Sequence, residues 1–121
     1  MSTPEGAVLR ACLDYLKLSK IAAWRINTMG TPIPSQPGRF RPAPSVGIAD
    51  IVGIGEAQYI GGKGPPIPVP LAIECKAAKG RQSPAQAVFA KSWEKAGGVY
   101  IIARSVEELR LKLREAGVGC G

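Results

Sequence analysis

The sequence predicts a single α/β domain built on a mixed β-sheet. Segments whose apolar residues recur with helical spacing alternate along the chain with short β-type runs, and this alternation is typical of α/β domains. The length of 121 residues suits one domain spanning 1–121, since soluble domains commonly hold about 100–150 residues. The predicted order is helix, strand, long loop, strand, strand, helix, strand, helix.

The first helix begins at Thr3, because threonine is a good N-cap, Pro4 suits the first helical position and Glu5 suits the first turn. It continues to about Ser19 on a helical stripe of apolar residues, which are Val8, Leu9, Cys12, Leu13 and Leu16. Residues 22–27 are predicted to form a half-buried strand. Two sets of residues alternate along this segment: one is Ala22, Trp24 and Ile26, and the other is Ala23, Arg25 and Asn27.

A long loop is predicted between Met29 and Val46. Its prolines exclude a helix and a central strand there, and they are Pro32, Pro34, Pro37, Pro42 and Pro44. Arg39, Phe40 and Arg41 lie near its middle. Long structureless loops inside compact domains are usually functional or mobile.

The second half of the chain predicts two strands, then a helix, a strand and a helix. Residues 48–54 and 69–76 are β-type runs separated by glycines and prolines, which indicates a hairpin with a wide loop. A helix follows from Ser83 to about Ala96, before two glycines. Residues 99–103 form an apolar strand, and a capping box at 105–108 starts a last helix. The glycine-rich residues from 117 onward predict a frayed tail.

The charge balance points to an anionic partner and narrows the chemistry. Lysine and arginine number 16 against 9 acids, which gives a net charge of +7, and histidine is absent. Without histidine, the Ser-His-Asp and Cys-His nucleophile systems and histidine zinc sites are excluded. General acid–base catalysis would then depend on carboxylates, lysine, tyrosine or metal-bound water. A strongly basic domain most often binds nucleic acid.

The cysteines and the lack of targeting patterns predict an intracellular protein. Cys12, Cys75 and Cys120 are odd in number and widely spaced, which argues against a disulfide framework or a zinc ribbon and favours a reducing compartment. No signal-peptide pattern occurs, and no apolar run approaches the ~20 residues of a membrane span. We therefore expect a cytoplasmic location and no membrane partner.

Two isolated acids are the candidates for a catalytic, metal-binding site. Asp50 and Glu74 are each surrounded by basic and apolar residues, in or beside β-type runs where acids are disfavoured. If their strands pair, the two carboxylates converge, and they repel unless a cation lies between them. Oxygen ligands suit Mg²⁺ or Mn²⁺, which can activate a water and stabilise charge on a phosphate. Lys76, two residues after Glu74, shares its strand face. The alternative is an ordinary surface ion pair between Glu74 and Lys76.

The segments around these acids resemble a known nuclease family. They are Gly47-Ile48-Ala49-Asp50-Ile51-Val52, Ile73-Glu74-Cys75-Lys76 and Gly80-Arg81-Gln82-Ser83-Pro84-Ala85-Gln86. Together they resemble the VRR-NUC (virus-type replication-repair nuclease) domain of the PD-(D/E)xK superfamily, although Ala49 stands where that family usually has proline. The resemblance implies a restriction-endonuclease-like core, with a mixed β-sheet flanked by helices.

The resemblance also implies roles for particular residues. Asp50, Glu74 and the Cys75 carbonyl would hold the metal, with Glu5 contacting the metal or its waters. Lys76 would be the catalytic lysine, and Gln86 would lie close to the metal as a further catalytic residue. Two of these residues have structural alternatives, since Gln86 also completes a capping box with Ser83 and Glu5 suits a helix N-terminus.

A set of polar residues is expected to contact DNA. Lys79 and Arg81 lead to a helix N-terminus, which is a natural phosphate site. The full predicted set is Lys79, Arg81, Arg39, Arg41, Lys63, Arg25 and Asn27. The alternative is that these are solvated surface charges. No base-reading motif is present, so recognition of DNA shape is favoured.

The resemblance therefore predicts a metal-dependent, structure-selective DNA endonuclease that resembles small Holliday-junction resolvases, encoded by a phage or prophage. Symmetric cutting of two strands would call for a homodimer, with Phe89, Trp93 and residues 99–103 as interface pieces or as ordinary core. The alternatives are a flap, nick or single-strand nuclease of the same fold, and a non-catalytic basic module that binds nucleic acid.

Overall fold

A computed structural model of the chain describes residues 3–26, 31–32, 34–41, 47–58 and 62–119. Within these residues the predicted α/β class is confirmed: a four-stranded mixed sheet is flanked by helices. The helices are α1 (Pro4–Leu18), α2 (Pro84–Lys95) and α3 (Val106–Glu115). The strands are β1 (Ala22–Arg25), β2 (Thr31–Pro32), β3 (Phe40–Arg41), β4 (Ile51–Ala57), β5 (Ile67–Cys75) and β6 (Val99–Ala103).

The main sheet has the order β1-β4-β5-β6. Strands β1, β4 and β5 pair antiparallel, so the predicted hairpin is confirmed, with Ile51 opposite Ile73 at one end and Ala57 opposite Ile67 at the other. Strand β6 pairs parallel to β5 after the α2 crossover. The described residues of the proline-rich segment contribute the two-residue pair β2–β3 outside this sheet, a pairing that the loop prediction missed.

The first of the two hairpin strands begins three residues later than the sequence predicts. The prediction of a strand over 48–54 is wrong at both ends, because β4 runs from Ile51 to Ala57. Gly47 has φ 86, and a Cβ on it would lie 2.6 Å from the Ala85 carbonyl carbon and oxygen. Residues 47–50 thus form a turn packed against the start of α2, and the strand starts only after Asp50.

Each helix starts at the residue that the sequence predicts. Thr3 accepts a 2.9 Å hydrogen bond from the Gly6 amide. Ser83 and Gln86 make the complete capping box of α2, since each side chain accepts from the other residue's backbone amide. At α3 only half of the predicted box forms: Ser105 accepts from Glu108, but the Glu108 carboxylate accepts from the amide of Arg104.

The core lies between one face of the sheet and helices α1 and α3. Its buried members include Leu9, Cys12 and Leu16 of the predicted α1 stripe. They pack with the sheet and α3 residues of the same cluster, among them Ile51, Leu71, Ile73, Leu109 and Leu113. Burying side chains of this size stabilises the fold by about 1.5–3 kcal/mol each.

Helix α2 lies across the other face of the sheet, over β6. Phe89 stacks on Trp93 with ring centroids 5.6 Å apart and meets Tyr100 at 6.2 Å. The Trp93 indole N–H donates to the Val99 carbonyl at 3.1 Å. Phe89 and Trp93, two of the predicted interface pieces, are thus engaged in packing within the chain.

The predicted frayed tail is wrong for residues 117–119. Val118 is 5% exposed and joins the core. The Gly119 amide donates a 2.9 Å hydrogen bond to the Glu56 carbonyl, as an isolated bridge beside β4. A Cβ on Gly55 would lie 2.6 Å from Val118 Cγ1, so the bare glycine provides the space that Val118 fills. Residues 120–121 lie outside the described residues.

The free edge of β6 is partly covered by a lysine. Lys112 of α3 donates a 2.7 Å hydrogen bond from Nζ to the Ile102 carbonyl and lies 3.6 Å from Glu108 Oε1. A groove of about 640 Å³ follows this edge between α2 and α3, and Glu5, Asp50 and Glu74 are not among its lining residues. In the described part of the chain, no helix has the length and apolar character needed to cross a membrane.

Candidate metal centre

The pairing of β4 with β5 brings Asp50 and Glu74 together. Asp50 immediately precedes β4, and Glu74 is the next-to-last residue of β5. Because Ile51 is opposite Ile73, the antiparallel register sets Asp50 beside Glu74. The Asp50 Oδ2 atom accepts a 2.8 Å hydrogen bond from the Cys75 amide. This bond fixes the Asp50 carboxylate against the end of β5.

A third carboxylate reaches the same place from α1. One carboxylate oxygen from each of Glu5, Asp50 and Glu74 lies within 4.8 Å of the others. Glu5 belongs to the first turn of α1 and is exposed, whereas Asp50 is half-buried. The three acids come from three separate elements that meet at one end of the sheet. We name them the acidic cluster.

Glu74 is the unusual member of the acidic cluster because it is buried. The residue is 1% exposed, and its Oε2 atom has no hydrogen-bond partner among the described residues. Burial, and then the neighbouring Asp50 carboxylate, raise the pKa of Glu74 to about 8 against the opposing charge of Lys76. A buried carboxyl oxygen without a hydrogen bond is costly, and a cation bound beside Oε2 would reduce that cost.

Lys76 follows Glu74 on the same side of the chain. Its Nζ lies 3.7 Å from Glu74 Oε1, and the Lys76 side chain is 12% exposed. The Lys76 amide donates to the Ala103 carbonyl at 3.0 Å, which continues the β5–β6 pairing one residue beyond the strand. That continued pairing keeps residues 74 and 76 on one face, and it places an amine at the edge of the acidic cluster.

Cys75 lies between these two residues and turns its side chain into the core. The described cysteines, Cys12 and Cys75, are both buried and free. Their thiols interact directly: the hydrogen bond with Cys12, and then burial, raise the pKa of Cys75. The sequence predicts both residues as buried, but nothing in their spacing indicated that they meet. The contact joins α1 to β5 at the residue that follows Glu74.

Gln86 takes part in the start of α2. Its Oε1 atom accepts a 2.8 Å hydrogen bond from the Ser83 amide, which is the structural alternative that the sequence left open. The neighbouring Gln82 donates from Nε2 to the Tyr100 hydroxyl at 3.3 Å. The Gln82 bond ties the segment that precedes α2 to strand β6.

Two of the predicted DNA contacts lie close to the acidic cluster along the chain. Lys79 and Arg81 are exposed in the connection between β5 and α2, which follows directly after Lys76. The connection is held by Arg104, whose Nη2 donates to the Gly80 carbonyl at 3.0 Å. Sequence reasoning missed Arg104, because an arginine just after a strand has no motif that signals such a contact.

The other predicted DNA contacts are more dispersed. Arg25 is exposed at the end of β1, and Arg39 is exposed and donates to Gln36 Oε1 at 2.9 Å. Lys63 is exposed in the β4–β5 loop, at the end of the hairpin remote from Asp50 and Glu74. The Arg41 side chain and the whole of Asn27 lie outside the described residues.

No protein-family model matches the chain, and no curated protein or solved structure matches it either.

Proposed function

We propose that the protein is a Mg²⁺- or Mn²⁺-dependent endonuclease that hydrolyses phosphodiester bonds in branched DNA, in the manner of a Holliday-junction resolvase with a PD-(D/E)xK core. The observation that carries the proposal is the buried Glu74 carboxyl group. Its Oε2 atom has no partner among the described residues, and it stands beside Asp50 and Lys76. A buried carboxyl oxygen without a hydrogen bond costs stability, and a bound cation would supply the missing partner.

The donor set fits a hard divalent cation. Three carboxylates contribute oxygens within 4.8 Å of one another, and Mg²⁺ and Mn²⁺ prefer oxygen ligands from a few protein groups, with waters filling the remaining positions. Asp50, Glu74 and Glu5 would hold the ion, together with the carbonyl of Cys75. Such an ion supplies a water of lowered pKa and stabilises charge on a phosphate.

The chain's own residues then have separate tasks. Asp50 is oriented by the Cys75 amide, and Glu74 is oriented by burial. Lys76 has its ammonium 3.7 Å from Glu74 Oε1, where it can donate to the attacking water or to a phosphate oxygen. Gln86 uses its Oε1 in the capping box, which leaves its amide N–H groups for the substrate.

Basic residues beside the acidic cluster would hold the DNA backbone. Lys79 and Arg81 project from the connection that leads into α2, and contacts of lysine and arginine with phosphates dominate affinity for DNA. The net charge of +7 supplies long-range attraction. A homodimer would provide the two active centres that paired nicks require.

A cleavage panel tests the proposal. A four-way junction, a flap, a duplex and a single strand are each incubated with Mg²⁺, Mn²⁺ or EDTA. We expect symmetric paired nicks in the junction with either metal and none with EDTA. Cutting of the flap alone would favour the flap-nuclease alternative and refute the resolvase proposal. Salt-dependent binding with no cutting in either metal would leave only a binding module.

Variants locate the chemistry. Glu74→Gln and Lys76→Ala should abolish cleavage while folding and DNA binding persist. Glu94→Gln and Lys91→Ala are matched controls, since both side chains are exposed on α2 and should leave cleavage unchanged. Full activity in either of the first two variants would show that the acidic cluster is not the active centre.

A further inference from the structure

One of the two tryptophans is exposed on the sheet. Trp24 in β1 is 57% exposed, whereas tryptophan is among the most buried side chains on average. Trp93 behaves as expected, because it stacks on Phe89 and donates to Val99. Trp24 therefore contributes little to the core, and its position on the molecule suggests another use.

The strand register places Trp24 on the same face of the sheet as Glu74. Trp24 is opposite Val52 in β4, and Val52 is opposite Ala72 in β5. Residues two apart on a strand share a face, so the side of the sheet that carries Ala72 also carries Glu74. Two strand spacings and two residues along the strand separate Trp24 from Glu74 by about 12 Å. A short stretch of single-stranded nucleic acid bridges that distance.

The surface around Trp24 is small and mostly apolar, with the exposed acid Glu56, opposite Pro68, at the end remote from Trp24. On this side of the sheet, strands β1, β4 and β5 carry apolar residues that are exposed or half-buried, and we name them the open face: Ala22, Trp24, Val52, Ile54, Pro68 and Pro70. Three strands about 4.8 Å apart, over about four residues of 3.3 Å, give it roughly 200 Å². A stable protein interface needs about 800 Å² on each partner. The open face is too small for a second copy of the chain but large enough for nucleobases.

The two sides of the open face differ in chemistry. On the β5 side, the open face leads to Glu74 and to the connection that carries Lys79 and Arg81. The positive charges of Lys79 and Arg81 suit phosphates. At β1 the open face ends on the exposed indole of Trp24. A nucleotide strand needs both surfaces, since its phosphates pair with cations and an unpaired base stacks on an aromatic ring.

We propose that Trp24 is a stacking platform for an unpaired nucleobase near the phosphate that is cut, and that this contact selects branched or single-stranded DNA over continuous duplex. The inference rests on the proposed nuclease function. In a continuous duplex each base is already stacked between its neighbours, so the contact is available only where a strand leaves the helix. Trp24 is then a specificity-determining residue.

Binding can be measured separately from cleavage. The chain has two tryptophans, so Trp93→Phe leaves Trp24 as the only indole. With EDTA present to prevent cutting, we expect a short oligothymidylate and a four-way junction to quench Trp24 fluorescence, and a blunt duplex to leave it unchanged. Equal quenching by the duplex, or none by any of the three, would overturn the proposal.

Substitution provides a second measurement that does not depend on the Trp93→Phe background. Trp24→Ala should weaken binding of a fluorescein-labelled oligothymidylate about tenfold, as loss of one base–aromatic stack does, and Trp24→Phe should retain most of the affinity. Leu111→Ala, at a residue 54% exposed on α3 and outside the open face, is the control and should leave the affinity unchanged. Equal losses from Trp24→Ala and Trp24→Phe would show that the aromatic ring, and therefore stacking, does not hold the strand.

Two outcomes separate this inference from the proposed function. A wild-type chain that cuts no substrate with either metal, together with Trp24 quenching in Trp93→Phe, would refute the nuclease and support the stacking site. Cleavage of junctions that Trp24→Ala leaves unaltered would refute the stacking site and support the nuclease. If Trp24→Ala instead converts a dimer to a monomer in sedimentation and leaves oligothymidylate affinity unchanged, the open face binds a second copy and the proposal is wrong.

Discussion

The amide of Cys75 donates a 2.8 Å hydrogen bond to Oδ2 of Asp50. A backbone group at the end of β5 therefore holds the side chain of the residue that precedes β4. Asp50→Asn can preserve this bond through the amide oxygen, whereas Asp50→Ala leaves the Cys75 N–H without its acceptor. An unsatisfied buried donor costs about 1–3 kcal/mol. We expect Asp50→Ala to lose about that much unfolding free energy, and Asp50→Asn to lose less.

Urea unfolding in EDTA measures the difference between the two variants, and cleavage assays should show both to be inactive. Asp14→Ala, an exposed acid on α1, is the stability control. Equal stability of the alanine and asparagine variants would show that the Cys75 bond contributes nothing to the fold.

The metal-free protein should lose stability as the pH rises. Burial and the Asp50 carboxylate raise the pKa of Glu74 from 4.5 to about 8. Between these values the folded state holds a proton that the unfolded state has released, so the unfolding free energy falls as pH increases through the folded pKa. Over the whole interval between these two pKa values, the loss from this one group is about 5 kcal/mol.

Chemical unfolding in EDTA at pH 5 and pH 8.5 should reveal this loss, and Glu74→Gln should remove most of it, because glutamine has no proton to release. Addition of Mg²⁺ at pH 8.5 should restore stability in the wild type but not in Glu74→Gln. A wild-type stability that is flat or rises across this pH interval would contradict the expectation.

Arg104 should act on DNA binding through the segment it holds. Its Nη2 bonds the Gly80 carbonyl at 3.0 Å, between Lys79 and Arg81. Arg104→Ala frees that connection, so we expect DNA affinity to fall several-fold while the unfolding free energy falls by only about 1 kcal/mol. Anisotropy titrations in EDTA measure the affinity. Arg110→Ala removes the same charge from an exposed α3 position, and an equal effect there would show that net charge alone is responsible.

Gly53 should tolerate no side chain. A Cβ at this position would lie 2.5 Å from the Ala22 carbonyl oxygen, and backbone on the facing strand cannot move aside cheaply. Gly53→Ala should therefore cost about 1–3 kcal/mol of unfolding free energy and displace β1, which carries Trp24. Gly119→Ala is the control, because its Cβ would meet the Glu56 carbonyl at an ordinary 3.9 Å. Thermal unfolding of both variants tests this, and equal melting temperatures would contradict it.

Local signals in the sequence predict most of the elements, because caps and periodicity act over a few residues. Thr3, Ser83 and Ser105 begin helices as predicted, and residues 99–103 form the predicted strand. The start of β4 was misplaced because it depends on the packing of Gly47 against Ala85, which are distant in sequence. The ordered Val118 was missed for the same reason, since only the folded hairpin provides its place beside Gly55.

The neighbourhood of Asp50, Glu74 and Lys76 follows from strand pairing and period two, both of which the sequence predicts. The contacts around these three residues cannot be predicted from strand pairing and period two. The Cys12–Cys75 contact, the Arg104 bond to Gly80 and the exposure of Trp24 each depend on how separate elements meet. No spacing along the chain encodes such contacts. The alternation at 22–27 identified the strand, but the expectation of a half-buried one is wrong for β1, where Ala22 and Trp24 of the apolar set are exposed.

The bond from Lys112 to the Ile102 carbonyl affects how the molecule behaves when it is crowded. An edge strand with free carbonyls invites another chain to add a strand, and repetition of that step builds fibrils; lysine is the residue most used to prevent it. The β6 edge thus has a positively charged group where a foreign strand would need to dock. The sheet is protected against open-ended growth on that side, so the protein can remain a set of discrete molecules even at high local concentration.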